Sequence, residues 1–241
     1  MKRKILSILV AVMLLSSLTV MPVQAADPDD IEASIVKGLE WLVAQQDAVS
    51  GSWGGGYVMV SETAFAVVKL EDRAFELGYS GPFDPTYPYK ENVEKGLDYL
   101  FTNAATVDIA VQPAGDPDTN DNDIGVKFGL QETYDTGIAM MAIAASRAPG
   151  RVVNVTGSAV DTWTYKDVLQ DAVDYFAWGQ TDEGSPGRGG WYYGPNEGWS
   201  DNSNSGYAVL GLRYAEAAPY GFACTIPAFV KTELDFWIDY I

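Results

Sequence analysis

The chain contains no histidine and a single cysteine, Cys224. Without histidine there are no His-based triads, no imidazole metal ligands and no imidazole acid–base chemistry. Catalysis would fall to carboxylates, tyrosines or a metal held by oxygen. One cysteine excludes an intrachain disulfide, and its neighbourhood, "YGFACTIPAF", is apolar, which points to a buried thiol. Basic residues are scarce as well: 15 Lys and Arg stand against 33 Asp and Glu, a formal charge of −18. Such a surface repels nucleic acid and anionic lipid and leaves neutral or cationic partners. Strand-like segments are few, and only "RVVNVTG" and "DTWTYKD" look extended.

One long apolar run is present, at the N-terminus. Lys2, Arg3 and Lys4 precede it, and "MPVQAAD" follows with Val23 and Ala25 as the small residues a signal peptidase prefers. This reads as a secretory leader, residues 1–25, cleaved near Ala25,. The expected product is secreted or held at the cell surface, with no membrane span once the leader is removed. Residues 26–241 form the expected folded domain.

That domain alternates amphipathic stretches with Gly-, Pro- and Asp-rich loops. "DIEASIVKGLEWLVAQQ" puts Ile31, Ile35, Leu39 and Leu42 on one helical face, with Asp29 and Glu32 as a capping box,. The heptapeptide "VKGLEWL" (36–42) recurs as "EKGLDYL" (94–100), "QDAVDYF" (170–176) and "KTELDFW" (231–237). A second pattern, "ETAFAVVKL" (62–70), recurs as "DTGIAMMAI" (135–143) and "NSGYAVLGL" (204–212). The first kind of helix carries a charged face through Lys37, Glu40, Lys95, Asp98 and Asp174. The second is small and apolar nearly all round, which implies burial on every side. The expectation is an all-α fold of helical hairpins, second helices inside and first helices outside. The hairpins span about 30–79, 92–149 and 166–218, with a partial one from 226,. The helix "SETAFAVVKLEDRAFELG" is expected to be capped at Ser61 or Glu62–Thr63. Gln45 or Gln46, at the end of the first helix, can donate to its last carbonyls or to the loop. Trp53 is expected to stack on the Gln plane and join neighbouring hairpins, and Gln180, Gly184 and Trp191 repeat the device.

These residues resemble the QW motif of the terpenoid cyclase/protein prenyltransferase superfamily, in its prenyltransferase/squalene oxidase repeat. Lys37, Gly38, Trp41, Leu42, Gln46, Gly51 and Trp53 follow the motif, and Ala172, Tyr175, Phe176, Gln180, Gly184 and Trp191 follow it with a longer final spacer. The second repeat keeps Lys95, Gly96, Tyr99 and Leu100 but has Asn103 and loses Gln and Trp. The resemblance covers about residues 30–241 and implies an α/α toroid-like repeat. Three hairpins and a fourth outer helix make an incomplete ring.

The family's chemistries are not carried over. "DPDD", Asp27–Asp30, has the letters of the cyclase acid motif but precedes the first helix, where it reads as a solvated cap. The positions equivalent to that motif hold Glu132, Tyr134 and Asp135 in the second repeat, and Asp201, Ser203 and Asn204 in the third. Alkene protonation needs a protonated, polarised carboxylic acid. Glu132, Tyr134, Asp135 and Asp201 are the candidate catalytic residues, and helix capping is the competing reading of Asp135 and Asp201. The prenyltransferase zinc set requires a His that is absent. No cofactor is expected, with calcium as the alternative: Asp116, Asp118, Asn120 and Asn122 alternate as in a calcium loop, although Asp121 and Lys127 replace its Gly and Glu,. Asn154 opens a glycosylation sequon. Trp191, Tyr192, Tyr193 and Trp199, with Asn204, are candidate ligand contacts, for a glycan or an apolar small molecule.

The expected function is therefore a secreted, non-catalytic repeat module that binds a ligand or partner at its concave, aromatic-rich face. The alternative is a cyclase-like isomerase, or a carboxylate/Tyr-dependent polysaccharide lyase. Leu234, Trp237 and Ile241 on the last helix are expected to need cover from further chain or a partner subunit.

Overall fold

The computed structural model describes residues 27–241, so the expected leader lies outside the described residues. The structure is mostly helical. Its seven described α-helices are α1 Pro28–Ala44, α2 Met59–Glu76, α3 Lys90–Thr102, α4 Glu132–Ala145, α5 Tyr165–Gly179, α6 Asn202–Glu216 and α7 Ala228–Tyr240. Among the described residues no helix is long and apolar enough to cross a membrane. The residues fall into two compact units, one ending at Leu39 and the other running from Glu40 to Ile241.

In the first unit, α1 opens with Pro28, whose missing N–H costs nothing at a first helical position,. Its cap is Asp27, which accepts from the Asp29 amide (3.0 Å), rather than the Asp29–Glu32 box expected. Of the apolar stripe, Leu39 is buried, while Ile31 and Ile35 are exposed.

In the second unit, α4 packs between α2 and α6. Glycine permits a close approach there: a Cβ on Gly137 would stand 2.4 Å from the Tyr207 carbonyl oxygen, and one on Gly211 would stand 2.9 Å from that of Gly137. The small, apolar character of "GIAMMAIAA" thus has its reason, because α4 is buried on nearly every side. Helix α3 is amphipathic, burying Val93, Gly96, Leu97, Leu100 and Phe101 at helical spacing,. Helix α2 starts two residues before the expected cap, at Met59. Ser61 and Thr63 are buried in it, and their hydroxyls bond other segments.

Two further expectations fail. Strands β1 (Ala104–Asp108) and β2 (Ile124–Phe128) form an antiparallel pair, with Ala104 opposite Phe128 and Asp108 opposite Ile124. They lie in "AATVD" and "IGVKF". The segments expected to be extended contribute only the isolated bridge Val152–Thr164. Helix α5 is not an outer helix with a charged face, since Gln170, Asp171 and Asp174 are buried. The loop from Asp116 to Asp123 covers that face. Asn120 and Asn122 amides donate to the two Asp171 oxygens (2.7 and 3.0 Å), and the Thr119 amide and hydroxyl donate to Asp174 (3.2 and 2.9 Å). Gln170 ties the same point to Thr225 through both ends of its amide (3.0 and 2.9 Å).

Candidate functional site

The QW-like residues form hydrogen-bonded clips, and the clip occurs twice with the same bonds. At the end of α1 the Leu42 carbonyl accepts from the Trp53 indole (2.7 Å), and the Trp53 amide donates to the Thr63 hydroxyl in α2 (2.9 Å). At the end of α5 the Phe176 carbonyl accepts from the Trp191 indole (2.9 Å), and the Trp191 amide donates to Ser205 in α6 (2.9 Å). Gln46 donates to Gly51 (2.8 Å) and to the Asn92 carbonyl in the first turn of α3 (3.0 Å). Gln180 donates to Gly189 (2.8 Å) and to the Val230 carbonyl in the first turn of α7 (3.0 Å). Each Gln donates to its loop, as expected, and also reaches across to the next hairpin's first helix, while the indole rather than the Gln serves the carbonyl at the end of its own first helix. Gly189, not Gly184, occupies the place of Gly51. Both glycines have φ near +80° (79° and 83°), and a Cβ would stand 2.5 Å from the Lys95 carbonyl oxygen or 1.9 Å from that of Glu233.

The second repeat keeps half the device. The Phe128 amide donates to the Thr136 hydroxyl (2.9 Å), as Trp53 and Trp191 donate to Thr63 and Ser205. Phe128 therefore takes the Trp position without an indole donor, and the shorter Asn103 bonds back to Tyr99 (2.8 Å) instead of reaching the next helix. The inserted β-hairpin separates the two residues and hides the equivalence.

The clips decide the fate of several candidates. Trp191 is fully buried, so it is a structural clip and not a ligand contact. Asp201 caps α6, accepting from the Asn204 amide (2.8 Å), the Asn204 side chain (2.7 Å) and Ser203 (2.7 Å). Burial opposes ionisation of its carboxyl, but these donors outweigh burial and hold it below the ordinary value. Asn204 is likewise buried in that network. Asp135 is fully buried. It accepts from the Leu130 and Gln131 amides (3.1 Å each) ahead of α4, and from the Ser61 hydroxyl. Burial raises its pKa against those donors. Glu132 is held by an ion pair with Lys127 and by the Tyr175 hydroxyl (2.9 Å). Each candidate carboxylate is thus committed to a cap or a pair.

The candidate calcium loop is committed in the same way. Asp116 and Asp118 accept backbone amides within the loop, while the Asn120 and Asn122 amides serve Asp171. Among the described residues no three His, Cys, Asp or Glu side chains are grouped to hold a metal ion. Cys224 is buried, and burial pushes its thiol up to about 12. Asn154 is exposed.

An open groove of about 630 Å³ lies between the end of α1 and the face of α2. Leu42, Trp53 and Ala66 lie against it, Trp41 and Phe65 supply aromatic walls, and Gln45, Glu62 and Lys69 supply its polar groups. Phe65 continues it into an aromatic cluster: Phe65 meets Tyr207 edge-on (6.1 Å between centroids) and Tyr134 meets Tyr207 (4.5 Å). A hydrogen bond with Tyr207, then burial, pushes the Tyr134 hydroxyl up to about 12, so it stays protonated as a donor. The Tyr193 carbonyl accepts from the Thr133 amide (3.1 Å) at the start of α4. Tyr192 and Tyr193 pack edge-on (5.1 Å), and Tyr193 and Trp199 are exposed. Of the expected contacts, Tyr192, Tyr193 and Trp199 are accessible; Trp191 and Asn204 are not. Trp41 and Phe65 were not among the expected contacts. Trp41, 64% exposed, lies off the Ile35–Leu39–Leu42 stripe, and that helical offset is the signal that would have found it,.

No family model matches the chain, and no curated protein or solved structure shows significant similarity to it.

Proposed function

We propose that the protein is an exported, non-catalytic binding module built as an α/α toroid-like repeat of the terpenoid cyclase/prenyltransferase kind, and that the Trp41–Phe65 groove holds its ligand. The groove is the observation that carries this reading: about 630 Å³, within the usual range of ligand sites, with aromatic walls and a few polar groups at hand,. The duplicated clip supports the repeat, since Gln, Gly, Trp and the inner-helix hydroxyl recur with the same bonding in hairpins one and three. The ligand is an apolar small molecule or a neutral glycan stacking on Trp41, because a chain with a formal charge of −18 disfavours anions,. The catalytic alternative has less support, as Glu132, Asp135 and Asp201 are held by internal partners.

Glycan-array and lipid-binding screens of the secreted chain test this, with Trp41→Ala as the control. Binding lost in Trp41→Ala but kept in Trp199→Ala supports the groove. No binding by a well-folded sample, or binding indifferent to Trp41, overturns it.

A further inference from the structure

Glu62, Asp135 and Asn204 hold the same position in the three aligned helices α2, α4 and α6, one residue before the clip hydroxyls of Thr63, Thr136 and Ser205. In the first two repeats the carboxylate is folded under the same loop. Gly54 follows Trp53 and Gly129 follows Phe128, and a Cβ on these glycines would stand 1.5 Å from Glu62 Oε2 and 2.2 Å from Asp135 Oδ2. The next amide then donates to that oxygen, Gly55 to Glu62 (3.0 Å) and Leu130 to Asp135 (3.1 Å). The repeats differ at the second oxygen. Asp135 Oδ1 accepts the Ser61 hydroxyl where α4 packs on α2. Among the described residues no protein donor reaches Glu62 Oε1, and Glu62 is exposed on the lining of the Trp41–Phe65 groove. In the third repeat Asn204 is buried, and its amide is turned to Asp201 (2.7 Å).

We propose that Glu62 is the specificity-determining residue of the groove and reads a hydroxyl of the ligand, which is a neutral pyranose sugar; this rests on the groove being the binding site. The second repeat supplies the type of donor. A ligand hydroxyl takes on Glu62 the role that the Ser61 hydroxyl has on Asp135, and a hydroxyl donating to a carboxylate is a strong, charge-assisted bond. The rest of the groove favours a sugar over an apolar molecule. Trp41 and Phe65 offer ring faces to the C–H side of a pyranose,. Gln45 and Lys69 add polar groups apart from Glu62, and Lys69 lies two turns further along α2, about 10 Å away on the helix axis. A ligand with hydroxyls around its ring can therefore bond at more than one point. An apolar molecule filling the same space would take water from these groups and return no hydrogen bond, and each polar group left unsatisfied carries a penalty. A cationic ligand is opposed by Lys69 on the same wall, although Asp72 pairs with it (3.4 Å).

Ligand-observed NMR titration of the exported chain tests this. The probes are the methyl glycosides of glucose, galactose, mannose and N-acetylglucosamine, their monodeoxy counterparts, and a neutral naphthylamine dye as the apolar probe. At least one glycoside is expected to bind, and deleting one particular hydroxyl is expected to weaken it by about tenfold, as for a hydrogen bond to a charged group. In Glu62→Gln, whose amide oxygen can keep the Gly55 bond, the same deletion is expected to have little effect. A merely structural role for Glu62 would not remove that discrimination, and the deoxy series on the unmodified chain stands without the variant. Binding of the dye and of no glycoside, lost in Trp41→Ala, overturns the sugar assignment while leaving the groove as a binding site. Hydroxyl discrimination that persists in Glu62→Gln overturns the role of Glu62. No binding of any probe overturns both this proposal and the groove.

Discussion

The first and third clips use the same residues to different depth. Trp53 and Trp191 make the same two bonds, but Gln46 is the better satisfied of the two glutamines. Its carbonyl oxygen accepts from the Asn92 side chain (2.6 Å), whereas the equivalent oxygen of Gln180 is buried without a partner, because Val230 stands in the place of Asn92. The third clip compensates elsewhere: Arg188 makes a two-bond pair with Glu233 (2.7 and 2.9 Å) and covers Phe236 (3.6 Å). Two ways of pinning the following helix are therefore present in one chain, a neutral amide pair and a charged fork. The last helix shows the consequence. Trp237, expected to need cover from further chain or a partner subunit, is only 6% exposed, and Leu234 is half-buried; Phe236, Ile238, Tyr240 and Ile241 are the exposed apolar residues.

The comparison can be broken most severely at the glycines. Gly51→Ala and Gly189→Ala each combine positive φ with a collision against backbone, and each is expected to cost about 3 kcal/mol or more. Gly129→Ala meets a side chain instead, that of Asp135, and should cost less. Denaturant unfolding of the three variants checks that order; clearly unequal losses for Gly51→Ala and Gly189→Ala would mean that the two clips do not share a geometry. Next come the indoles. Trp53→Phe and Trp191→Phe keep a ring but strip the N–H from a helix-end carbonyl, for an expected loss of about 2 kcal/mol each. Phe128→Tyr, by contrast, adds a hydroxyl in a fully buried place where no clip partner exists, and is expected to destabilise,.

A pH series separates the lid over α5 from the clips. Burial pushes Asp171 up to about 6 and Asp174 up to about 7, against the donors that hold them. A carboxyl whose folded pKa is raised favours the folded state while protonated. That stability is present below the ordinary carboxylate range and is lost as pH rises through about 7,. Fully buried Glu71, also raised by burial, acts in the same direction. The unfolding free energy is expected to fall between about pH 4 and pH 7, by on the order of 1–2 kcal/mol per carboxyl, and the thermal midpoint with it. Asp174→Asn should flatten the slope, whereas Trp53→Phe should not. An unchanged slope in Asp174→Asn would locate the pH dependence elsewhere. The smallest effect sharpens the comparison itself: Asn92→Val turns the first amide pair into the arrangement of the third and is expected to cost about 1 kcal/mol. No change in the denaturation midpoint would show that the Gln46 oxygen finds another donor.

The sequence by itself determined the parts whose causes are local. Apolar residues at helical spacing, the recurring heptapeptides and the Gln, Gly and Trp at the hairpin ends specify helices joined by clips, because helix faces and helix ends make their demands within a few residues. Asp201 as a cap was legible for the same reason. Only the tertiary structure decided what depended on partners far along the chain. The loop at 116–123 read as a solvated loop with calcium as the alternative because its Asp and Asn spacing is local, but its amides serve Asp171, about 50 residues away in sequence. Helix α5 read as charged and outward because Asp171 and Asp174 are charged in isolation, and that loop buries them. Phe128 could not be read as a clip residue, since it lacks the indole donor of Trp53 and stands at the end of an inserted strand pair. The groove required Trp41 and Phe65 to be brought together from different helices. Burial, and with it the difference between a clip and a contact, is a property of the packed chain: Trp191 and Trp199 are the same residue type in neighbouring loop positions, and only packing hides one and exposes the other.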